Sequence, residues 1–136
     1  MSRQTKTFTA AAASLDTSFT SVNALLASSN VNMNVPDGYS KVIRVSMSLS
    51  PDHTSATDGC SVFKFAGDGV VTQQIMSGPS WSNQAAGPLC GNNGQPVVIE
   101  SSAGVFDVTA GNAIDISVGA TTAETADISI SLTFGT

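Results

Sequence analysis

Histidine and cysteine are the side chains most able to do chemistry near neutral pH. This chain carries one histidine, His53, and two cysteines, Cys60 and Cys90. A nucleophilic triad would have to be built on His53, with Asp52 or a more distant acid to orient it. The histidine sits in Pro51-Asp-His-Thr-Ser-Ala-Thr-Asp-Gly59, a run with the chemistry of turns. No Gly-X-Ser-X-Gly elbow occurs anywhere. A Cys-His pair using Cys60 or Cys90 has no better support. A loop histidine in water outweighs both readings, so no catalytic residue is expected and the chain is not expected to be an enzyme.

Metal and phosphate chemistry fare little better. Asp52, His53 and Asp58 are close in sequence, and Asp68 follows one hairpin later. Oxygen-rich loops hold Ca²⁺, but this spacing fits no EF-hand, and Asp in a turn usually caps its own backbone. Two Cys and one His are the whole supply of soft ligands for zinc. Gly87, Gly91 and Gly94 are spaced irregularly and open no helix, so they make no phosphate cradle. Neither a metal nor a cofactor is expected.

Cys60 and Cys90 stand thirty positions apart. Paired, they would close a loop worth about 3–4 kcal/mol; unpaired, they are two small thiols of a reducing compartment. The Ala10–Ala13 run is short and Asp16 interrupts it, too weak a pattern for the apolar region of a signal peptide, which favours free thiols. No stretch approaches transmembrane length.

The one tryptophan, Trp81, is flanked by Ser80, Ser82, Asn83 and Gln84. An aromatic ring beside amides equips either a sugar site or an interface anchor. The alternative is a loop folded back to bury the ring. Tyr39 is a second candidate contact, and Phe8, between Thr7 and Thr9, a third.

The elements that would position these residues are strands. Ile43, Val45, Met47 and Leu49 alternate with Arg44, Ser46, Ser48 and Ser50 until Pro51 stops the run. Cys60–Phe65 and Val70–Met76 flank a Gly67-Asp-Gly69 turn. Val97-Val-Ile99 and 105–108 add short strands. Ile114-Asp-Ile-Ser-Val118 and Ile128-Ser-Ile-Ser-Leu-Thr-Phe134 read as a terminal pair of half-buried antiparallel strands. Residues 1–9 read as an extended N-terminal arm and 30–38 as a loop or edge segment ending in a turn. Leu15, Phe19, Val22 and Leu26 fall at helical spacing among poor helix formers; the expectation there is one short helix near 21–27 with Ser21 as its cap. The Gly/Pro/Asn-rich segment 77–96 shows no periodicity, and a loop of that length is often functional. The sum is one domain over 1–136, an antiparallel β-sandwich or small barrel of seven to eight strands.

Composition narrows the partners. Net charge is −5, against nucleic acid, which needs a basic patch. All five basic residues (Arg3, Lys6, Lys41, Arg44 and Lys64) precede position 65, and the chain beyond carries only acids. Charged residues make up 11%, about half the usual share. Free monomeric β-proteins guard their strands with Lys and Glu; here the outward positions are Ser46, Ser48, Ser129, Ser131 and Thr133. Small neutral hydroxyls are cheap to desolvate, which suits a protein packed against its own copies. An extracellular or acid-tolerant composition would look the same.

The stretch Phe106-Asp-Val-Thr-Ala-Gly111-Asn-Ala-Ile114-Asp-Ile-Ser-Val118, followed by Ala126-Asp-Ile-Ser-Ile-Ser-Leu-Thr-Phe134, resembles the ending of tumour-necrosis-factor-like and viral single jelly-roll proteins. There, a strand, an x-Gly-Asp/Asn turn, a central strand and a final strand lead to the C-terminus. Pro36-Asp-Gly-Tyr39, ahead of an early strand, is compatible with it. The resemblance is an alternation plus one turn, and a fibronectin- or carbohydrate-module-type sandwich ends in the same way. It implies an all-β, jelly-roll-like sandwich and a structural virion protein (capsid, vertex or decoration component) that forms trimers, pentamers or a shell. Its partners would be copies of itself and other virion proteins, not nucleic acid or membrane. Residues 1–9 and 77–96 would then reach neighbouring subunits, with Arg3 and Lys6 meeting the acidic C-terminal half of another copy. The alternative is a lectin-like or receptor-binding module using Trp81, Tyr39 and nearby amides such as Asn83.

Overall fold

The computed structural model describes residues 2–17, 20–21, 34–51, 59–66, 74–81 and 96–136. Their regular structure is all β, in nine strands: β1 (Gln4–Leu15), β2 (Thr20–Ser21), β3 (Lys41–Pro51), β4 (Gly59–Ala66), β5 (Gln74–Trp81), β6 (Val97–Glu100), β7 (Phe106–Asp107), β8 (Asp115–Ala120) and β9 (Glu124–Gly135). Among the described residues no helix is long and apolar enough to cross a membrane.

Every pairing is antiparallel. One sheet has the order β1-β9-β3-β6, with β7 also on β3; the other is β2-β8-β4-β5. The pairings are nested. β1 lies against β9, β2 against β8, β3 against β6, and β4 against β5. Two further pairings, β9 with β3 and β8 with β4, close each sheet.

Period-two alternation explains the core. Along β9, Ala126, Ile128, Ile130, Leu132 and Phe134 are all buried, and the residues between them turn the other way. Phe8 and Ala10 of β1 and Val45, Met47 and Leu49 of β3 face the same interior. Phe63, Phe65, Ile116 and Val118 come to meet them from the second sheet, and the rings of Phe65 and Phe106 lie 5.6 Å apart. In the second sheet Gly78 makes a close approach that a larger residue would block. A Cβ there would stand 2.5 Å from both Phe63 Cε2 and Ser61 Oγ. The buried Ser61 hydroxyl donates to the Pro79 carbonyl at 2.8 Å.

Bulges account for several departures from the plain alternation. Val42 pairs with Phe134 and Arg44 with Thr133, so Ile43 is an extra residue on β3. Ile43 was expected to share a face with Val45. It is buried instead beside Gly135, outside the main cluster, and Val42 takes the inward place. A second bulge falls between Ala10 and Ala13 of β1, and a third between Ser80 and Ser77 of β5, where Pro79 is tolerated.

Other expectations need correction. The stretch 1–9 is not a free arm: from Gln4 it is the first half of β1, in register with Phe134 to Ser129 of the same chain. β8 and β9 are not a pair; they lie in opposite sheets, and the chain crosses between them over 121–123. Residues 77–81 are strand, not loop. Ser21 pairs with Ser117 in β2, and the rest of the expected helix at 21–27 lies outside the described residues, as do 67–73 and 82–95. The Gly111 turn is present. Its amide donates to Val35 O, Asn112 N donates to Thr109 O at 3.1 Å, and Gly111 has φ 84°, the positive value a type II turn needs at its third residue.

Candidate interaction face

Of the residues singled out for catalytic or metal chemistry, the described residues include Cys60 alone. His53, Asp52, Asp58, Asp68, Asn83 and Cys90 lie outside the described residues. Among the described residues, no group of three or more His, Cys, Asp or Glu could hold a metal ion. Cys60 is a free thiol at the start of β4. Its Sγ lies 3.3 Å from Ser61 O and 3.5 Å from Gly78 O, and burial pushes its pKa up.

The candidate contact residues separate to opposite ends of the sandwich. Tyr39 lies beside the end of β9: its ring centroid is 6.3 Å from that of Phe134, and its hydroxyl shares a 2.8 Å hydrogen bond with Ser2. Trp81 ends β5 opposite Gly59, near where Thr121 N donates to Cys60 O just before β9 begins. β9 spans 12 residues, so about 35 Å of strand lies between the two positions. A sugar platform shared by Trp81 and Tyr39 is therefore not formed. Phe8 is a core residue, 1% exposed, not an intersubunit anchor. Lys6 turns to its own chain, with Nζ donating to Asn34 O at 2.7 Å. Arg3 is exposed, one residue before β1.

What the fold does bring together is the neutral hydroxyls. Residues directly opposite on neighbouring strands point to the same face. The registers of β1, β9, β3 and β6 align Thr5, Thr133, Arg44 and Glu100 in one row, and Thr7, Ser131, Ser46 and Val98 in the next. Thr9, Ser129 and Ser48 make a third. This is the outer face of the larger sheet. Thr5 Oγ1 and Thr133 Oγ1 share a 2.9 Å hydrogen bond, as do Thr7 Oγ1 and Ser131 Oγ. Hydroxyls already bonded to one another lose less when water leaves; an unbonded one costs roughly 1–3 kcal/mol to bury. Charges stand at the margins. Arg44 Nε lies 3.9 Å from Glu100 Oε2, both side chains about half exposed, so the pair contributes little. Val98, 45% exposed, is the exposed large hydrophobic among the described residues.

Beyond the third row the face dips into a trough of about 480 Å³ lined by Thr9, Ala11, Ser48, Ser50, Asp127 and Ser129. Ala10, Leu49 and Ile128 also line it. Their side chains are buried in the core, so they give it a backbone floor. Asp127 supplies an exposed carboxylate. The trough has no aromatic wall.

Sequence reasoning found half of this face. The alternation of β3 and β9 marks Ser46, Ser48, Ser129, Ser131 and Thr133 as outward, whereas Thr5, Thr7 and Thr9 join the face through the register of β1 with β9. Their signal was present: Thr-x-Thr-x-Thr with Phe8 and Ala10 between is the same alternation. Comparison with protein-family models and with curated proteins finds no match.

Proposed function

We propose that this chain is a structural virion protein, a capsid, vertex or decoration component, that works by packing against copies of itself and other virion proteins. The observation that carries this reading is the outer face of the larger sheet: three ranks of short hydroxyls, with Thr5 bonded to Thr133 and Thr7 to Ser131 across the strands, and charges only at the rim. A solvated β-surface is normally studded with Lys and Glu. This one is built to lose its water.

The topology supports the same reading. Leaving out the two-residue β7, the strands pair first with last, second with seventh, third with sixth and fourth with fifth. One long hairpin rolled into two sheets would pair in this way, which supports reading the sandwich as a jelly roll, a fold used by virus capsids and by lectins. The separation of Trp81 from Tyr39 favours the structural use over the lectin-like one.

The test is electron microscopy of the protein expressed alone and concentrated, beside a Ser48→Lys variant. The expected result is discrete rings or closed particles for the native chain and dispersed, folded protein for the variant. Native protein that stays dispersed and featureless would contradict the reading.

A further inference from the structure

We propose that the first half of β1 is the docking edge for a second copy of this chain, whose Arg3 enters the Asp127 trough. The proposal rests on the self-association reading and adds a second contact to the outer face, along the sheet edge. Among the described residues β1 pairs with β9 alone, and its other side has no strand partner. Within Gln4–Ala10 the one charge is Lys6, whose Nζ donates to Asn34 O of its own chain, and from Thr7 to Leu15 the edge carries no charged residue, where natural edges are usually guarded. Self-pairing of an edge is how sheets most simply join.

The sequence of the edge fixes the register. Gln4 to Ala10 is regular, and the bulge that follows ends the regular run. Two copies paired antiparallel across a twofold axis at Thr7 place Thr7 against Thr7, Thr5 against Thr9, and Gln4 against Ala10. Every outward residue then meets an outward residue, as an isologous interface requires. The two hydroxyl faces become one. The same register sets Arg3 of one copy opposite Ala11 of the other. Ala11 lines the trough that Asp127 also lines. A guanidinium arriving there finds an exposed carboxylate and the hydroxyls of Ser48, Ser50 and Ser129. Charge complementarity thus closes both ends of the ladder, twice by symmetry.

The test combines crosslinking with charge exchange, read by sedimentation velocity and non-reducing gels. In a background with Cys60 and Cys90 changed to Ser, Thr7→Cys should form a covalent dimer on mild oxidation, because directly opposed strand residues bring their Cβ atoms about 5 Å apart. Thr5→Cys alone should not, whereas Thr5→Cys mixed with Thr9→Cys should. With native cysteines, Arg3→Glu and Asp127→Arg should each weaken dimerisation about tenfold, and the double exchange should restore it. Native protein that associates while Thr7→Cys stays monomeric on the gel, with both charge variants unaffected, would overturn the edge and leave self-association standing. Crosslinking of Thr5→Cys as readily as Thr7→Cys would overturn the register. Native protein that is monomeric at every concentration would overturn both readings.

Discussion

The two faces of β1, β9 and β3 share one backbone and differ in every other residue. Inward stand Phe8, Val45, Met47, Ile130, Leu132 and Phe134, none more than 1% exposed. Outward stand Thr5, Thr7, Ser46, Ser48, Ser131 and Thr133. The inner face is specified by volume, since its side chains must fill the space between two sheets. The outer face is specified by what it omits: bulk and charge. One alternation therefore builds two surfaces that exclude water, the first during folding and the second, in our account, during assembly.

The largest effect should come from breaking the inner face. Phe134→Ala removes a fully buried ring and is expected to cost about 3–5 kcal/mol in urea unfolding. A loss below about 1 kcal/mol would mean the site collapses around the gap. Next, Gly78→Ala should cost about 1–3 kcal/mol, because the added methyl meets Phe63 and Ser61; calorimetry would show a lowered Tm.

Outer-face changes should be smaller in stability and larger in behaviour. Thr133→Val deletes a hydroxyl bonded to Thr5 and should cost about 0.5–1.5 kcal/mol. Ser46→Lys should leave unfolding within about 0.5 kcal/mol of native while stopping self-association at the β1-edge dimer in light scattering. If Ser46→Lys instead unfolded the monomer, the distinction between the two faces would fail.

How much of this was legible in the sequence follows from the same alternation. β3, β8 and β9 could be read because their apolar residues recur every second position and Pro51 or glycine ends the run, and β6 because Val97, Val98 and Ile99 follow one another. The period broke at the bulges. One extra residue at Ile43 shifted its face, and the extra residue among four alanines hid the continuity of β1 behind Phe8. Local pattern also carries nothing about partners far along the chain. Ile114–Val118 and Ile128–Phe134 look like a hairpin from their alternation, but β8 pairs with β2 and β4 while β9 pairs with β1 and β3. The outer face needed those long-range registers: Thr5 and Thr133 are neighbours only because the first strand lies beside the last. His53 and Asn83 lie outside the described residues, so the sequence names their types alone.

The central claim is that the neutral outer face is made to be covered by another copy. Light-scattering mass over a hundredfold concentration range tests it most directly. The account predicts a rise from the 13.8 kDa chain to a discrete multiple larger than a dimer, with Ser46→Lys stopping at the dimer. A mass of one chain at every concentration would contradict it.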